Sequence, residues 1–384
     1  MPQNPTLPVV DITVRMFGRD YGVVPSFTDL LLGSNVLGDF SAGWYDAWCV
    51  DQQVEFSSGS LIPMGTPARL QGDFSAEIYS LYDYPSVIQA DFPLIQNQGK
   101  LPAVNWLINQ NFSTIGNSSG YTLADVQAAI WILLGDDPSV SATIGNTWDP
   151  GRTTTLVNEA NAHINFVPNI NDNDPTNDNI AVLVSPFIDT NGNGIRDDGD
   201  VRQQPLVITV ASAALGDTVW LDNNANGIQD GGEVGVENVT VKLWRDLNGD
   251  GLVDNNEVIK TTTTDNAGHY EFVGLTPGLT GYPGYRVAFT LSTDYVFTTK
   301  NAAGSTGAND SDANPLDGTT AAVSLNPGEF NKDIDAGIYK LASLGDKVWL
   351  DCNNNGIQDN DEVGVAGVKV HLLDSNGNEI ATAT

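Results

Sequence analysis

Positive charge is scarce in this chain: 16 Lys and Arg stand against 48 Asp and Glu over 384 residues, a formal net charge of −32. So negative a field repels phosphate backbones and anionic lipid headgroups, which argues against nucleic acid and membrane surfaces as partners. Long apolar runs are missing too. No stretch of about 18 uninterrupted apolar residues occurs, so no membrane insertion is expected in this segment. The only cysteines, Cys49 and Cys352, are too few for a disulfide framework and leave the redox compartment open. His163, His269 and His371 are scattered, with no His-x-x-x-His or Cys-x-x-Cys spacing for a catalytic transition metal. A phosphate-cradling glycine loop and a Gly-x-Ser-x-Gly elbow are also lacking. Carboxylates are so common that paired acids say nothing about glycoside hydrolysis. Met1-Pro2-Gln3-Asn4-Pro5 has no basic stretch leading into an apolar run. The chain is therefore either cytosolic or a secreted one whose leader lies outside this sequence.

What is present is repetition. Leu215-Gly216-Asp217-Thr218-Val219-Trp220-Leu221-Asp222 returns as Leu344-Gly345-Asp346-Lys347-Val348-Trp349-Leu350-Asp351. At the same offset, Asn-Gly-Ile-Gln-Asp recurs at 226–230 and 355–359, and Glu-Val-Gly-Val at 233–236 and 362–365. The first copy closes near Ile338-Tyr339 and the second is still incomplete at Thr384. Within the first, Val239–Leu243, His269–Phe272, Tyr285–Thr290, Tyr295–Thr298 and Ala321–Leu325 alternate between clusters of Gly, Pro, Asn and Asp. That is the pattern of an antiparallel β-sandwich. The first two hundred residues differ. Pro102–Ile108, a capped run from Thr122 to Leu134 with Gly135 as its stop, and Thr154–His163 predict helices. Val10–Phe17, Trp44–Phe56 and Ile180–Pro186 predict strands, making this region α+β. The expected division is 1–211, 212–341 and 342–384, a multidomain chain with an apolar share of 41%, enough for packed cores.

Four acidic loops carry the ligand spacing of a calcium site, with Asp at position 1, Asx at 3 and 5, Gly at 6 and an acid at 12. They are Asp189, Asn191, Asn193, Ile195, Asp197, Asp200; then Asp222, Asn224, Asn226, Ile228, Asp230, Glu233; then Asp246, Asn248, Asp250, Leu252, Asp254, Glu257; and Asp351, Asn353, Asn355, Ile357, Asp359, Glu362. A hard cation needs six or seven oxygens, so the loop must curl at the glycine. The position-7 residue offers only its carbonyl, which frees its apolar side chain for packing. No helix pair flanks the loops, so calcium is expected as a structural brace rather than a switch. Asn-rich loops are expected to bind weakly, which suits extracellular calcium and argues for secretion.

Residues 215–340, with Leu-Gly-Asp-x-Val-Trp-Leu-Asp, the calcium loop, Tyr270–Gly278 and Asp333–Tyr339, resemble the calcium-binding B repeats of serine-aspartate-repeat (SdrD B-like) bacterial surface proteins. The resemblance implies stacked, Ig-like or CnaB-like β-sandwich stalk modules, and a further acidic cluster around Asp310 and Asp312. Some of that family carry a Lys–Asn isopeptide crosslink. Thr218 stands in the first copy where Lys347 stands in the second, and no such crosslink is expected.

Leu123, Val126, Ile130, Trp131 and Leu134 form one helical stripe with Gln127 in its middle. A buried Gln amide must find partners, or its burial costs about 1–3 kcal/mol. In the run 48–56, Cys49 alternates away from Trp48, Val50, Val54 and Phe56. Either these are an ordinary buried thiol and a hydrogen-bonded core amide, or they belong together. Trp48-Cys49-Val50-Asp51 and Val126-Gln127-Ala128-Ala129-Ile130-Trp131 resemble the paired motifs of thioester domains in Gram-positive surface adhesins, although Trp48 replaces the more usual Tyr, Phe or Leu. The resemblance implies that Cys49 and Gln127 condense into an internal thioester that an amine on a target can open. Trp44, Tyr45, Trp48 and Trp131 would exclude water from it.

The sequence thus reads as a thioester-domain-like α+β head on calcium-stabilised β-sandwich repeats, in a secreted or cell-surface adhesin. Its expected partner is a surface protein or polyamine-bearing target on another cell or matrix, and its chemistry is at most a single acyl transfer. The alternative is a structural subunit of an extracellular filament, with self as partner through strand exchange. An adhesin would be monomeric, whereas a filament subunit would form calcium-dependent fibres.

Overall fold

The computed structural model describes residues 9–17, 27–32, 43–49, 62–64, 69–80, 95–110, 120–138, 148–172, 178–193, 196–197, 199–203, 205–278 and 283–384. The chain forms two compact units, Met1–Tyr339 and Lys340–Thr384.

The N-terminal part of the first unit contains strands β1 (Val9–Phe17), β2 (Phe27–Leu32), β3 (Gly43–Cys49), β4 (Ile62–Met64) and β5 (Arg69–Ser80), then helices α1 (Leu101–Ile108), α2 (Leu123–Leu134) and α3 (Pro150–Ala162), then β6 (Asn179–Ile188), β7 (Val201–Arg202) and β8 (Leu206–Ala211). These strands form one antiparallel sheet in the order β4-β5-β1-β2-β3-β8-β6-β7. A further pairing of β5 with β6, from Ser75↔Phe187 to Ser80↔Val182, closes the six strands from β5 to β6 into a ring. Closure removes edges that would otherwise present unpaired peptide groups. Successive residues Ile180–Val184 are all buried, so β6 is covered on both faces. One face packs under the helices, where Trp48, Tyr79, Ala181, Leu183 and Val207 meet Leu101, Val104, Val126, Ile130 and Leu156.

The helices begin where local chemistry dictates. Thr122 and Asp125 form a complete capping box on α2, and Gly135 ends it in the left-handed region at φ 104°. Helix α3 starts four residues earlier than expected, at Pro150, because Asp149 caps it by accepting the Arg152 N–H at 2.8 Å. Of the run expected to be a strand to Phe56, only Gly43–Cys49 falls within the described residues.

Only Ser212 separates β8 from β9 (Ala213–Leu221). The first repeat then adds β10 (Thr240–Trp244), β11 (Val258–Thr263), β12 (His269–Leu275), β13 (Arg286–Thr290), β14 (Tyr295–Phe297), β15 (Phe330–Asn331) and β16 (Ala336–Lys340). Sheets β11-β10-β13 and β12-β9-β16-β14 enclose a core of Leu215, Val219, Val241, Leu243, Phe272, Val287, Phe289 and Ile338. The sandwich is not wholly antiparallel: β15 and β16 lie parallel to β9. The expected strand at Ala321–Leu325 is reduced to isolated bridges. Tyr285 pairs with Val323 but Ala288 with Thr319, so the register slips by one residue and the ladder breaks. In the second unit, β17 (Val370–Leu373) and β18 (Glu379–Ala383) form a hairpin.

The repeat is packed tightly where turns meet strands. A Cβ at Gly235 would stand 1.8 Å from the Ala267 carbonyl oxygen. Gly235→Ala is therefore expected to cost about 1–3 kcal/mol through overpacking. The check is a lowered denaturant midpoint with an unchanged slope.

Candidate functional site

Gln127 sits on the face of α2 that meets β3, fully buried, with Cys49 1% exposed beside it. The Cys49 N–H donates to Gln127 Oε1 at 3.1 Å, and Gln127 Nε2 donates to the Cys49 carbonyl at 2.6 Å. The side-chain amide thus occupies the place of a partner strand's peptide at the end of β3, which meets the hydrogen-bonding demand that its burial creates. The pairing joins residues 78 apart in the sequence, Cys49 of one thioester-like motif and Gln127 of the other. Burial pushes the Cys49 thiol up to about 12, so at neutral pH it holds its proton. Trp48 and Trp131 are buried here, whereas the side chains of Trp44 and Tyr45 fall outside the described residues. Cys352 is exposed and unpaired to any cysteine.

The four acidic loops share one geometry. The position-12 acid turns back to accept the position-2 N–H: Thr190 to Asp200 at 2.9 Å, Asn223 to Glu233 at 2.8 Å, Leu247 to Glu257 at 2.9 Å, Cys352 to Glu362 at 2.8 Å. The position-6 glycine N–H donates to the position-1 carboxylate, from Gly227 to Asp222 at 2.8 Å, Gly251 to Asp246 at 3.1 Å and Gly356 to Asp351 at 2.9 Å. Gly194 and Ile195 of the first loop lie outside the described residues. Backbone N–H groups at position 5 donate to position-3 oxygens, as Asn193 does to Asn191, Asn226 to Asn224, Asp250 to Asn248 and Asn355 to Asn353. Asn224 and Asn226 both aim Nδ2 at Asp230 Oδ2, each at 2.9 Å; the Asn191 and Asn193 amides treat Asp197 likewise, and those of Asn353 and Asn355 treat Asp359 likewise. In the third loop the Asn248 amide reaches toward Asp254 at 3.4 Å.

Position 4 also takes the left-handed region, at Gly192, Ala225, Gly249 and Asn354. The calcium template names only the position-6 glycine, so that need was not legible in it. Packing by the position-7 side chain is found for Ile228, which is half-buried, whereas Leu252 and Ile357 are exposed.

Do these loops fit a hard cation? Among the described residues, no group of three or more Asp, Glu, His or Cys side chains is placed to hold a metal. The oxygens available in each loop are a mixture of carboxylate, Asn amide and main-chain carbonyl, which is the donor set that calcium takes. Among the described residues, Asp246 Oδ1 is buried and accepts no hydrogen bond, and Asp222 is fully buried with N–H and hydroxyl donors around it. Among the described residues Asp222 has no cationic side chain within ion-pairing distance, and Asp246 has only Arg286, 3.9 Å from its other oxygen; a bound cation would relieve the charge that remains. The residues fit the ion.

With this geometry in place, the comparisons are specific. Residues 213–338 and 342–384 match the family model of the SdrD B-like domain. Those two segments are similar to SdrD B-like repeats. Serine-aspartate repeat-containing protein F of Staphylococcus epidermidis is 44% identical over 164 residues, 38% of this chain and 9% of that protein. Serine-aspartate repeat-containing protein D of Staphylococcus aureus strain Newman is 38% identical over 171 residues, 44% of this chain and 12% of that one. The chain thus spans about a tenth of the length of these curated relatives. Among solved structures it is similar to BcpA, the major pilin subunit of Bacillus cereus, at 17% identity and a TM-score of 0.20, over 43% of this chain and 39% of that one.

The first repeat contains a second acidic group that the sequence only half revealed. Asp310 and Asp312 were legible; Asp217, in the repeated Leu-Gly-Asp motif, and Asp335, in the closing run Asp333–Tyr339, join them as unremarkable acids. Thr218 N–H donates to Asp335 Oδ1 at 3.0 Å, and Asp335 N–H to Asp312 Oδ2 at 3.0 Å. Asp335 Oδ2 and Asp310 Oδ1 are buried and accept no hydrogen bond among the described residues. Burial, then the neighbouring Asp217 charge, pushes Asp335 up to about 8; burial, then the Asp310 charge, takes Asp312 to about 6. Beside them Ile228, position 7 of the 222–233 loop, bridges to Asp310.

A carboxyl whose folded pKa is raised keeps a proton that the unfolded chain gives up. Between the ordinary value of 3.8 and about 8 the folded state binds more protons, so stability falls as pH rises through that window and levels above it. In chelator, the melting temperature of the full chain is expected to drop from pH 5 to pH 8 by several degrees, on the order of what 1–2 kcal/mol produces. Asp335→Asn should flatten that slope and melt higher than the parent at pH 8.

Proposed function

We propose that this chain is part of a secreted, cell-surface adhesin. In this reading its N-terminal region attaches covalently to amines through a Cys49–Gln127 thioester, and its repeats form a calcium-braced stalk. The observation that carries the covalent reading is the two-point pairing of the buried Gln127 amide with the Cys49 peptide group. An amide held against a residue's own N–H and C=O lies within reach of that residue's side chain. The surface location rests on the relatives of the repeats, one of which, at 39% identity, is named a fibrinogen-binding protein in Staphylococcus epidermidis. A protein on another cell or matrix is the matching class of target.

The chemistry balances as follows. Cys49 Sγ bonds to Gln127 Cδ, the Cδ–Nε2 bond breaks, and the thiol proton leaves with the nitrogen as ammonia. The Cys49 N–H on Oε1 is placed to stabilise the oxyanion of that addition, and the Cys49 carbonyl orients the departing nitrogen. A target amine later attacks Cδ, Sγ departs, and the amine's proton passes to sulfur. A thiol held near 12 keeps that proton, so the thiolate that would reverse the transfer is rare. Exclusion of water by Trp48 and Trp131 protects the acyl group until an amine arrives.

Calcium would be held by the oxygens of Asp222, Asn224, Asn226, Asp230 and Glu233 and their counterparts in the other three loops. It would supply the positive charge that the side chains lack. Free calcium at ten times a loop's dissociation constant adds about 1.4 kcal/mol per site.

Two measurements test this. Intact mass of the full chain should fall short of the sequence by one ammonia and gain one methylamine on exposure, while Cys49→Ala keeps its full mass. A parent mass equal to the sequence, with Cys49 alkylated stoichiometrically in denaturant, removes the covalent function. Separately, millimolar calcium should raise the melting temperature relative to chelator. A Glu233→Ala, Glu257→Ala double variant should lose much of that rise; equal melting temperatures with and without calcium would rule out the brace.

A further inference from the structure

Two residues before Gln127 on the same helix lies Asp125, fully buried and saturated with donors. Its Oδ2 accepts from the Thr122 N–H at 2.7 Å and from Arg152 Nε at 2.7 Å. Its Oδ1 accepts from the Asp149 N–H at 2.7 Å and from Arg152 Nη2 at 3.2 Å. Thr122 and Asp149 are the N-cap residues of α2 and α3. One carboxylate therefore ties together the starts of two helices, and the guanidinium fork sets the angle between them.

Two residues along a helix amount to about 200° of rotation and 3 Å of rise, so Asp125 and Gln127 leave α2 on opposite sides. The knot cannot touch the Cys49 pair; what it can fix is the depth and rotation of α2. Rotation matters because the Gln127 amide must meet an N–H and a C=O at once, and a small turn of the helix breaks both bonds.

We propose that Asp125 and Arg152 are positioning residues that set α2 so that the Gln127 amide lies on Cys49. The inference rests on the covalent reading above for its chemical consequence but not for its geometric one. Ordinary capping predicts a loss of stability alone. Positioning predicts a change at Cys49, on the far side of the helix, in protein that is still folded.

The experiment uses the full chain as Asp125→Asn and Arg152→Lys, with two readouts: the share of molecules lacking one ammonia, and hydrogen exchange at the Cys49 amide. Asp125→Asn is expected to keep the far-ultraviolet spectrum and a cooperative melt. Its ammonia-deficient share should form about tenfold to a hundredfold more slowly, the scale of a misplaced reacting group. Cys49 amide exchange should quicken by at least about tenfold, one lost hydrogen bond's worth. Arg152→Lys keeps the charge and both caps but loses the fork, and should fall between. Parent-like values in both readouts for a folded Asp125→Asn overturn the proposal. If that variant does not melt cooperatively, Arg152→Lys decides, and its identity with the parent overturns it equally. If the parent itself loses no ammonia, the covalent reading has failed instead. Cys49 exchange then decides alone: faster in the variants supports positioning, unchanged refutes it.

Discussion

Burying carboxylates with almost no cationic side chains to meet them is the constraint around which this chain is built. With 48 acids and 16 Lys and Arg, ion pairing can serve only a minority. Among the described residues the partly buried pairs stand where elements must be fixed: Arg152 on Asp125 joins two helices, Arg196 on Glu77 ties the first acidic loop to β5, and Arg286 of β13 approaches Asp246 of the third loop at 3.9 Å. Elsewhere the acids are met by main-chain N–H groups. Each loop curls so that its first and last carboxylates gather backbone donors, which is why left-handed residues recur at positions 4 and 6. N–H donors stabilise an anion without neutralising it, so the negative field persists and concentrates at the loops. The same logic without enough donors produces Asp335, where the proton itself becomes the counterion. A retained proton and the proposed calcium would be two answers to one electrostatic problem.

Local chemistry was legible in the sequence because it needs few residues. Thr122 with Asp125, Gly135, and the Asx-Gly spacing of the loops each specify a shape within a dozen positions. The buried Gln127 was legible for a different reason: an amide in an apolar stripe announces an unmet demand. The partner that meets it is backbone, the Cys49 N–H and C=O, which no side-chain pattern advertises. Long-range pairing stayed hidden for the same reason. Strand β5 carries Gly72 and Asp73 in its middle and shows no clean alternation, yet it borders β1 along its length and β6 over its last residues. Its identity as a strand is conferred by neighbours remote in sequence. Parallel addition of β16 to β9 is likewise a product of topology, and it is what brings Asp335 against Thr218 and so assembles an acidic group from separated motifs.

The junction between the N-terminal region and the first repeat follows from how few residues connect them. Ser212, fully buried, is the whole connection between β8 and β9; its N–H donates to the Asp178 carbonyl on one side and its own carbonyl accepts from Gly328 on the other, at 2.8 and 2.9 Å. Thr276 Oγ1 donates to Ser80 Oγ at 2.5 Å across the same boundary, and a Cβ on Gly274 would stand 2.7 Å from Val167. A one-residue connection bonded on both sides has little conformational freedom to lose, unlike a glycine- or serine-rich linker. Force applied between the N-terminal region and the repeat therefore runs along β8 into β9. Strand β9 is held on one edge by β12 and on the other by β15 and β16, so separating it from its sheet requires shearing several ladders together rather than opening one. Cys49 lies at the end of β3, paired with Leu206 at the start of β8. Load reaching Cys49 thus passes through that pairing to β8, the strand that leads directly into β9 of the first repeat.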